Sequence, residues 1–295
     1  MKVKVFAKLN LTLAVGARQG EYHPIDSVAT SVDVCDVVEV VAHDDGKIFV
    51  NDLPQVATEQ NSAYRAAVAF QREFFSPGVE ISMQKGIPFG AGMGGSSADA
   101  AAVVYCMCKL FGVDAGSHAV HELCARLGSD VNFMLFGGLG RLQGKGDEVT
   151  FSTLAKPIYF ALTTFDCSLS SGEVYSAYDK LLFGEPISLT PYSLFAAPRD
   201  CKLMGLLESG DNEVAIRMFS NDLQQATTSM SHYACDYLSF VGSHGLRCNM
   251  TGSGSVYYIA CATQAEAEHV AVLLNNNGFA TTVCTSVPGG IVEVT

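Results

Sequence analysis

The sequence lacks any run of basic residues: it holds 18 lysines and arginines against 30 aspartates and glutamates, a net charge of −12. A chain with this charge balance is poorly suited to bind nucleic acid or an anionic membrane surface. It also lacks an uncharged apolar run of the roughly 18 residues that a bilayer-spanning helix needs. We therefore expect no nucleic-acid partner and no membrane partner. A small anionic ligand is compatible, provided that helix N-termini or a few lysines surround it.

The N-terminal segment lacks the unbroken apolar stretch of a secretory signal, because Lys2, Lys4 and Lys8 interrupt it. The ten cysteines lie in apolar surroundings such as "VVYCMCKL", which indicates reduced, mostly buried thiols in a cytoplasmic protein. Cys106 and Cys108 are two residues apart on a predicted helix and point to different faces, so they predict no metal pair. We expect no metal site built from protein side chains.

With 295 residues, of which 48% are hydrophobic, the chain is long enough for two units with a sizeable core. Alternating apolar residues predict strands, and helical spacing predicts helices. The predicted strands are 2–15, as one long strand or two consecutive ones, and 27–34, 36–43, 79–84, 158–165, 256–262 and 280–287. The predicted helices are 61–75, 97–111, 117–128 and 264–275, with further helical patterns between 172 and 242. These patterns predict an α+β fold whose domain boundary lies near residue 155 and whose second half is a two-layer sandwich.

One glycine-rich segment, "IPFGAGMGGSSADAAA" at 87–102, stands directly before the alanine-rich predicted helix. Glycines let backbone N–H groups approach a phosphate, and the helix N-terminus adds unpaired donors and the positive end of its dipole. Two serine hydroxyls stand at the start of the helix, and the alanines keep its first turns slim. The segment therefore predicts a phosphate-binding loop, with an ordinary glycine-rich turn as the alternative. The predicted loop residues are Pro88, Gly90, Ala91, Gly92, Met93, Gly94, Gly95, Ser96, Ser97 and Ala98.

Two common phosphate loops do not fit this segment. The P-loop pattern requires a lysine inside the loop, and none is present. The dinucleotide pattern G-x-G-x-x-G is matched by Gly90, Gly92 and Gly95, but that loop should follow the first strand of an early βαβ unit. Here several strands precede it.

Three segments together resemble the GHMP kinase superfamily: "AKLNLTLAV" at 7–15, "PFGAGMGGSSADAA" at 88–101 and "NMTGSGSVYYI" at 249–259. The resemblance implies ATP, bound with Mg²⁺, as the phosphoryl donor. It also implies a two-domain GHMP kinase fold with the site between the domains. Residues 1–155 would form an N-terminal domain like ribosomal protein S5 domain 2. Residues 156–295 would form a ferredoxin-like C-terminal domain, whose last strand could return to the N-terminal one.

Within the superfamily, "GEYHPIDSV", "LGSDVNFMLFGG" and "SLSSGEVYSAY" are similar to the kinases whose acceptor is 4-diphosphocytidyl-2-C-methyl-D-erythritol. This implies phosphorylation of the acceptor's 2-hydroxyl, on a route to isoprenoid precursors. Ser96 and Ala98 depart from the narrower signature, which has glycine and serine there. A homoserine or mevalonate kinase, a nucleotide-binding protein without catalysis, and a nicotinamide dehydrogenase remain alternatives. Both a monomer and a homodimer are compatible with the sequence.

The resemblance implies Asp130 as catalytic base, and a carboxylate near the acceptor hydroxyl could take its proton. The Gly-Ser-Asp context alone would favour a helix cap. Lys8 is implied as the cation beside the base, although a surface lysine is the ordinary alternative. Asn10 lies on the same strand face as Lys8 and is implied to bind substrate.

Tyr22 and His23 match the pair that holds cytosine by stacking and edge hydrogen bonds in the family. Tyr175 matches an aromatic residue on the other face of the base, and a residue facing the core is its alternative. Ser171 matches a substrate-side threonine and is also a predicted helix cap. The turn 251–255 is implied to support the phosphate loop, while Lys85 and Lys145 are candidates for nucleotide contact.

Overall fold

The computed structural model describes residues 1–20, 22–51, 58–165, 170–184 and 196–294. Glu21 in the predicted loop 16–24 and residues 185–195 in the predicted helical stretch lie outside the described residues. The strands are β1 (Lys2–Asn10), β2 (Thr12–Val15), β3 (Ile25–His43), β4 (Ile48–Asn51), β5 (Gly78–Gln84), β6 (Leu139–Gly144), β7 (Glu148–Ser152), β8 (Tyr159–Thr163), β9 (Ser220–Asn221), β10 (Asn249–Met250), β11 (Tyr257–Cys261), β12 (Thr281–Val287) and β13 (Ile291–Glu293).

The helices lie between groups of these strands and confirm the mixed α+β class. They are α1 (Ser62–Phe74), α2 (Gly95–Phe111), α3 (His118–Leu127), α4 (Val131–Phe136), α5 (Ser171–Gly184), α6 (Ala196–Ser209), α7 (Asn212–Ile216), α8 (Gln224–Met230), α9 (His232–Ser243) and α10 (Gln264–Asn276), with a short 3₁₀ turn at Thr58–Gln60. No helix in the described part of the chain combines the length and apolar character that crossing a membrane demands.

The long strand β3 organises the sheet, pairing antiparallel with β1, β2, β5, β6 and β12. The prediction of two separate strands, 27–34 and 36–43, is therefore wrong. Phe6 pairs with Cys35 and Ala7 with Val32, so two residues of β3 bulge between these pairs. A bulge bends a strand and breaks its alternation without ending it.

Helix α2 packs its first turns tightly against the sheet. Ala98, Ala101 and Ala102 are fully buried, and α2 contacts β1, β3, α1 and α4. The helix begins at Gly95 rather than at 97, because the N–H of Ala98 already donates to the carbonyl oxygen of Gly94 at 2.8 Å. Both predicted loop serines therefore lie in the first turn of α2.

In the second half of the chain, β8 lies between β11 and β12, and α10 packs on them. The side chains of Thr263 and Glu266 form a capping box at the start of α10. Strand β12 also pairs with β3, and β13 pairs with β1, so the end of the chain returns to the first strands. The domain boundary near 155 stays a prediction.

Candidate active site

Lys8 and Asp130 form an ion pair where β1 meets the start of α4. The Lys8 Nζ lies 3.2 Å from the Asp130 Oδ2, with the lysine side chain 7% exposed and the aspartate side chain 26% exposed. Asp130 occupies the N-cap position of α4, but its side chain makes no capping hydrogen bond. The carboxylate therefore faces the ammonium of a buried lysine, which is not the arrangement of a plain helix cap.

Asn10 fixes the position of Lys8 and joins β1 to the turn 251–255. The Lys8 Nζ donates to the Asn10 Oδ1 at 2.9 Å, which confirms that the two side chains share one face of β1. The same Oδ1 accepts the Gly252 N–H at 3.0 Å, while the Asn10 Nδ2 donates to Ser27 Oγ at 2.7 Å. An ammonium has three donors, and Asp130 and Asn10 engage two of them. The third can therefore serve a ligand.

The glycine-rich segment forms a loop that ends at the N-terminus of α2. Gly92 has a φ of 72°, in the left-handed region, and a Cβ there would lie 2.4 Å from the Thr251 carbonyl oxygen. In the opposite direction, a Cβ on Gly252 would lie 2.7 Å from the Gly92 carbonyl oxygen. Neither position has room for a side chain, so the loop and the turn 251–255 approach each other backbone to backbone.

A buried charge cluster lies beneath this loop. The Lys85 Nζ lies 2.5 Å from Asp36 Oδ2 and 2.6 Å from Asp99 Oδ2. The other oxygen of Asp36 accepts the N–H groups of Gly86 and Ile87, at 2.7 and 2.9 Å. Asp36 therefore anchors the chain segment that leads into the loop, and Lys85 itself lines the cavity beside the loop.

Burial dominates the protonation of Asp99. It raises the pKa of this carboxyl to about 7, although the charge and hydrogen bond of Lys85 act in the opposite direction. Burial also lowers the pKa of Lys85, but the charge of Asp99 and the hydrogen bonds that Lys85 donates to both aspartates outweigh it and leave that pKa raised. Lys85 thus stays charged, while Asp99 can gain or lose a proton near neutral pH.

The predicted aromatic residues lie together, but Tyr175 stacks on His23, an arrangement that the sequence did not indicate. The His23 ring stacks on Tyr175, with ring centres 5.2 Å apart and an interplanar angle of 25°. The His23 Nδ1 donates to the Gly16 carbonyl oxygen at 2.9 Å, and its Nε2 lies 3.4 Å from the Asp179 Oδ1. Tyr22 is 38% exposed. Tyr175 thus supports the imidazole, and burial, with the charge of Asp130 adding to it, raises the tyrosine pKa to about 12.

Ser171 is the first residue of α5 rather than its cap. Its Oγ lies within hydrogen-bond distance of the Ser253 Oγ, at 2.8 Å, so it connects α5 to the turn 251–255. The predicted turn 251–255 is confirmed, since it joins β10 to β11.

Two cavities meet at these residues. The larger, about 690 Å³, is lined by all the predicted acceptor-side residues, namely Lys8, Asn10, Tyr22, His23, Asp130, Ser171 and Tyr175. The smaller, about 180 Å³, follows the loop and is lined by Pro88, Gly90, Ala91, Gly92, Gly94, Gly95, Ser96 and Ser97. Gly92, Gly94, Ser171 and Ser253 line both cavities. Met93 and Ala98, which were predicted with these loop residues, are buried and do not line the smaller cavity. A ligand along the loop would therefore end beside Lys8 and Asp130.

The larger cavity also contains residues that the motifs did not indicate, among them Arg18 and Asp179. Asp179 lies four residues after Tyr175 on α5, a spacing that places both on one helix face. This four-residue spacing from Tyr175 was the sequence signal that could have indicated Asp179. Lys145 lines this larger cavity, and Lys85 lines the smaller one.

Comparisons with known proteins show which families the chain resembles. The family model described as GHMP kinases N terminal domain matches residues 61–138. The chain is 33% identical over 262 residues to a 4-diphosphocytidyl-2-C-methyl-D-erythritol kinase of Caldanaerobacter subterraneus subsp. tengcongensis, covering 88% of this chain and 87% of the relative. It is 30% identical over 306 residues to a protein of the same name from Pseudarthrobacter chlorophenolicus, covering 98% and 93% of the two chains.

Solved structures share the fold. A crystal structure of 4-(cytidine 5'-diphospho)-2C-methyl-D-erythritol kinase matches with a TM-score of 0.76 at 23% identity, covering 97% of this chain and 98% of the other. A homoserine kinase from Cytophaga hutchinsonii matches with the same TM-score, 0.76, at 16% identity, covering 100% and 97%. The backbone alone therefore confirms the GHMP kinase fold without separating its members, and the sequence relatives separate them. On that sequence similarity, the chain belongs to the 4-diphosphocytidyl-2-C-methyl-D-erythritol kinase family.

Proposed function

We propose that this protein transfers the γ-phosphoryl group of ATP to the 2-hydroxyl of 4-diphosphocytidyl-2-C-methyl-D-erythritol. The observation that carries the proposal is the ion pair of Lys8 and Asp130, 3.2 Å apart, at the junction of the two cavities. The family relatives carry the name of this activity. The reaction needs a nucleotide site and an acceptor site that open onto one base, and two cavities that share Gly92 and Gly94 in their lining support this proposal.

ATP would lie along the loop 88–98 with its phosphates at the N-terminus of α2. Neutral backbone donors and the helix dipole stabilise negative charge there. The Asp130 carboxylate would accept the proton of the acceptor hydroxyl. At the same time the hydroxyl oxygen would bond to the γ-phosphorus, and the bond between that phosphorus and ADP would break. Lys8 would hold Asp130 in place and stabilise the charge on the transferring group. Asn10 would act through Lys8 by fixing its ammonium.

The acceptor's cytosine would bind at the aromatic end of the larger cavity. The exposed face of Tyr22 offers a stacking surface, because any base has a face to stack. His23 would supply edge recognition through its Nε2, from a ring held by the Gly16 carbonyl oxygen and by Tyr175. Binding a remote base positions the hydroxyl before the reaction, so less entropy is lost at the barrier.

Mg²⁺, when bound with ATP, would neutralise part of the negative charge of the phosphates. Among the described residues, no group of three or more His, Cys, Asp or Glu side chains is placed to hold a metal ion. The hydroxyls of Ser96 and Ser97 beside the smaller cavity are oxygen donors, the type that Mg²⁺ prefers. A cytoplasmic location and a monomeric or homodimeric state stay predictions.

The direct test couples ADP release to a spectrophotometric signal, with 4-diphosphocytidyl-2-C-methyl-D-erythritol, homoserine and mevalonate as separate acceptors. We expect turnover with the first acceptor only. Asp130→Asn should lower kcat by about 10²–10⁴-fold, the usual contribution of a general base, while ATP still binds. Asp44→Asn, which removes an exposed carboxylate in the turn after β3, is the matched control. Turnover of homoserine or mevalonate in preference, or full kcat in Asp130→Asn, would contradict the proposal.

A further inference from the structure

Asn221, on the short strand β9, holds the turn 251–255 with its side chain. Its Nδ2 donates to the Met250 carbonyl oxygen and to the Gly252 carbonyl oxygen, both at 2.8 Å, and its Oδ1 accepts the Leu223 N–H at 2.9 Å. These bonds engage both hydrogens of the amide. The side chain therefore fixes two carbonyl groups, one on each side of the first residue of the turn.

The backbone around Asn221 is itself fixed to β2, which begins two residues after the end of β1. Strand β9 pairs parallel with β2, and the Asp222 N–H donates to the Leu13 carbonyl oxygen at 2.9 Å. The Asp222 Oδ2 also accepts the Val15 N–H at 2.9 Å. Asn221 therefore connects the turn to the chain segment that continues β1.

The turn held by Asn221 contacts Asn10, which positions Lys8. The Asn10 Oδ1 accepts the Gly252 N–H at 3.0 Å, and the Asn10 N–H donates to the Thr251 Oγ1 at 3.0 Å. The Lys8 Nζ donates to the same Asn10 Oδ1 at 2.9 Å. Gly252 thus presents its carbonyl oxygen to Asn221 and its N–H to the oxygen that holds the ammonium of Lys8.

We propose that Asn221 is a positioning residue for the phosphoryl transfer, an inference that rests on the proposed function. Asn221 lines neither cavity of the site and lines instead a separate cavity of about 920 Å³. Its effect on the reaction therefore passes through Gly252 and Asn10 to Lys8. Catalytic groups must be held within about 0.5 Å of their productive geometry, so a turn that is free to shift would lower the rate.

Asn221→Asp separates the two roles of the side chain. The carboxylate keeps an oxygen for the Leu223 N–H, but it cannot donate to the two carbonyl oxygens and would repel them. We expect kcat at saturating substrates to fall about tenfold, since a misplacement of about 1 Å costs about 100-fold and the turn keeps its other contacts. KM for the acceptor should stay within about twofold, as expected when an interaction acts on the transition state.

Asn275 in α10 is the matched control. Its Nδ2 donates to the Ala271 and Thr281 carbonyl oxygens, both at 2.8 Å, and its Oδ1 accepts the Thr281 N–H at 3.0 Å. It lies outside both cavities of the site. Asn275→Asp therefore makes the same change to the same set of hydrogen bonds and should keep the wild-type kcat.

Urea unfolding of both variants checks that each is folded under the assay conditions. If Asn221→Asp is not folded, Asn221→Ser takes its place in every comparison. Serine keeps an oxygen at this position and is too short to reach the two carbonyl oxygens.

A double-mutant cycle tests the path through Asn10. If Asn221 acts through Asn10, adding Asn221→Asp to Asn10→Ala should lower kcat by less than about twofold further, because the connection is already broken. A further tenfold loss would show that the two residues act independently and would overturn the inference.

Three other results also overturn it. Wild-type kcat in Asn221→Asp shows that the turn keeps its position without the amide donors. An equal fall of kcat in Asn275→Asp shows a general loss of stability, and a raised acceptor KM at constant kcat shows an effect on binding alone. In these cases the proposed function stands if the wild type turns over the acceptor. If the wild type does not, the proposed function itself fails, and this inference falls with it.

Discussion

Replacing Gly92 by alanine would place a methyl group 2.4 Å from the Thr251 carbonyl oxygen and 3.1 Å from the Gly254 carbonyl oxygen. Ordinary contact begins at 3.4 Å, so the loop and the turn 251–255 would have to separate by about 1 Å. That turn also donates to Asn10, which holds Lys8. The substitution therefore disturbs the contacts that connect the loop, through the turn 251–255 and Asn10, to Lys8 beside the proposed base.

The cost has two parts. Gly92 has a φ of 72°, and placing alanine in the left-handed region costs about 1–2 kcal/mol. Inserting a methyl group into a packed contact costs about 1–3 kcal/mol more. The expected loss of unfolding free energy is about 2–5 kcal/mol. A displacement of about 1 Å at the site should lower kcat/KM for ATP about 100-fold.

Gly112, at the other end of α2, is a matched control. Its φ is 71°, and a Cβ there would meet nothing within 4 Å, so Gly112→Ala carries only the backbone cost. Urea unfolding and steady-state kinetics on both variants separate the two parts. We expect wild-type kcat/KM in Gly112→Ala. If Gly92→Ala loses no more unfolding free energy than Gly112→Ala and keeps its kcat/KM, the two motifs do not depend on this close approach.

Two further predictions concern carboxylates. Burial raises the pKa of Asp99 from 3.8 to about 7, so in this window the folded protein keeps a proton that the unfolded chain loses. The contribution of Asp99 to the unfolding free energy should therefore fall as the pH rises from 3.8 to about 7, by at most about 1.4 kcal/mol per pH unit. Asp99→Asn should flatten this slope of unfolding free energy against pH, as measured by urea titrations. An unchanged slope would refute the raised pKa of Asp99. Asp179→Asn removes the carboxylate that faces His23 and should raise KM for the acceptor about fivefold at constant kcat. Glu173→Gln makes the same charge change on an exposed position of α5, and an equal effect there would exclude a specific role for Asp179.

The spacing of apolar residues correctly predicted the helices in which that spacing is regular. Helices α1, α2, α3 and α10 lie within two residues of their predicted bounds, and Asn61 caps α1 by accepting the Ala63 N–H at 2.9 Å. The β6–β7 hairpin, α4 and β13 were not predicted, since short elements gain most of their stability from tertiary contacts. The bulge in β3 was misread as a strand end, because its two extra residues interrupt the alternation.

The parts of the site that lie within one short sequence motif could be predicted from the sequence. The glycine loop, the turn 251–255 and the residues on β1 each carry a short pattern, and the structure brings them together. Asp36 carried no such signal: 49 residues separate it from Lys85, and its role arises only when β3 and β5 pair. The position of Tyr175 on His23 likewise depends on how α5 packs against the loop after β2.

The charges around the loop support the proposal that glycines, and not lysines, bind the phosphates of ATP. Asp130 offsets the charge of Lys8, and the cluster of Lys85, Asp36 and Asp99 carries a net negative charge when Asp99 is ionised. Such a cluster offers little attraction to a triphosphate. Unlike these lysines, the backbone N–H groups at the start of α2 are not paired with a carboxylate among the described residues. Their attraction for phosphate is therefore not offset. This holds only while the loop stays in its place against Thr251, which is why the absence of a side chain at Gly92 matters more than any single cation nearby.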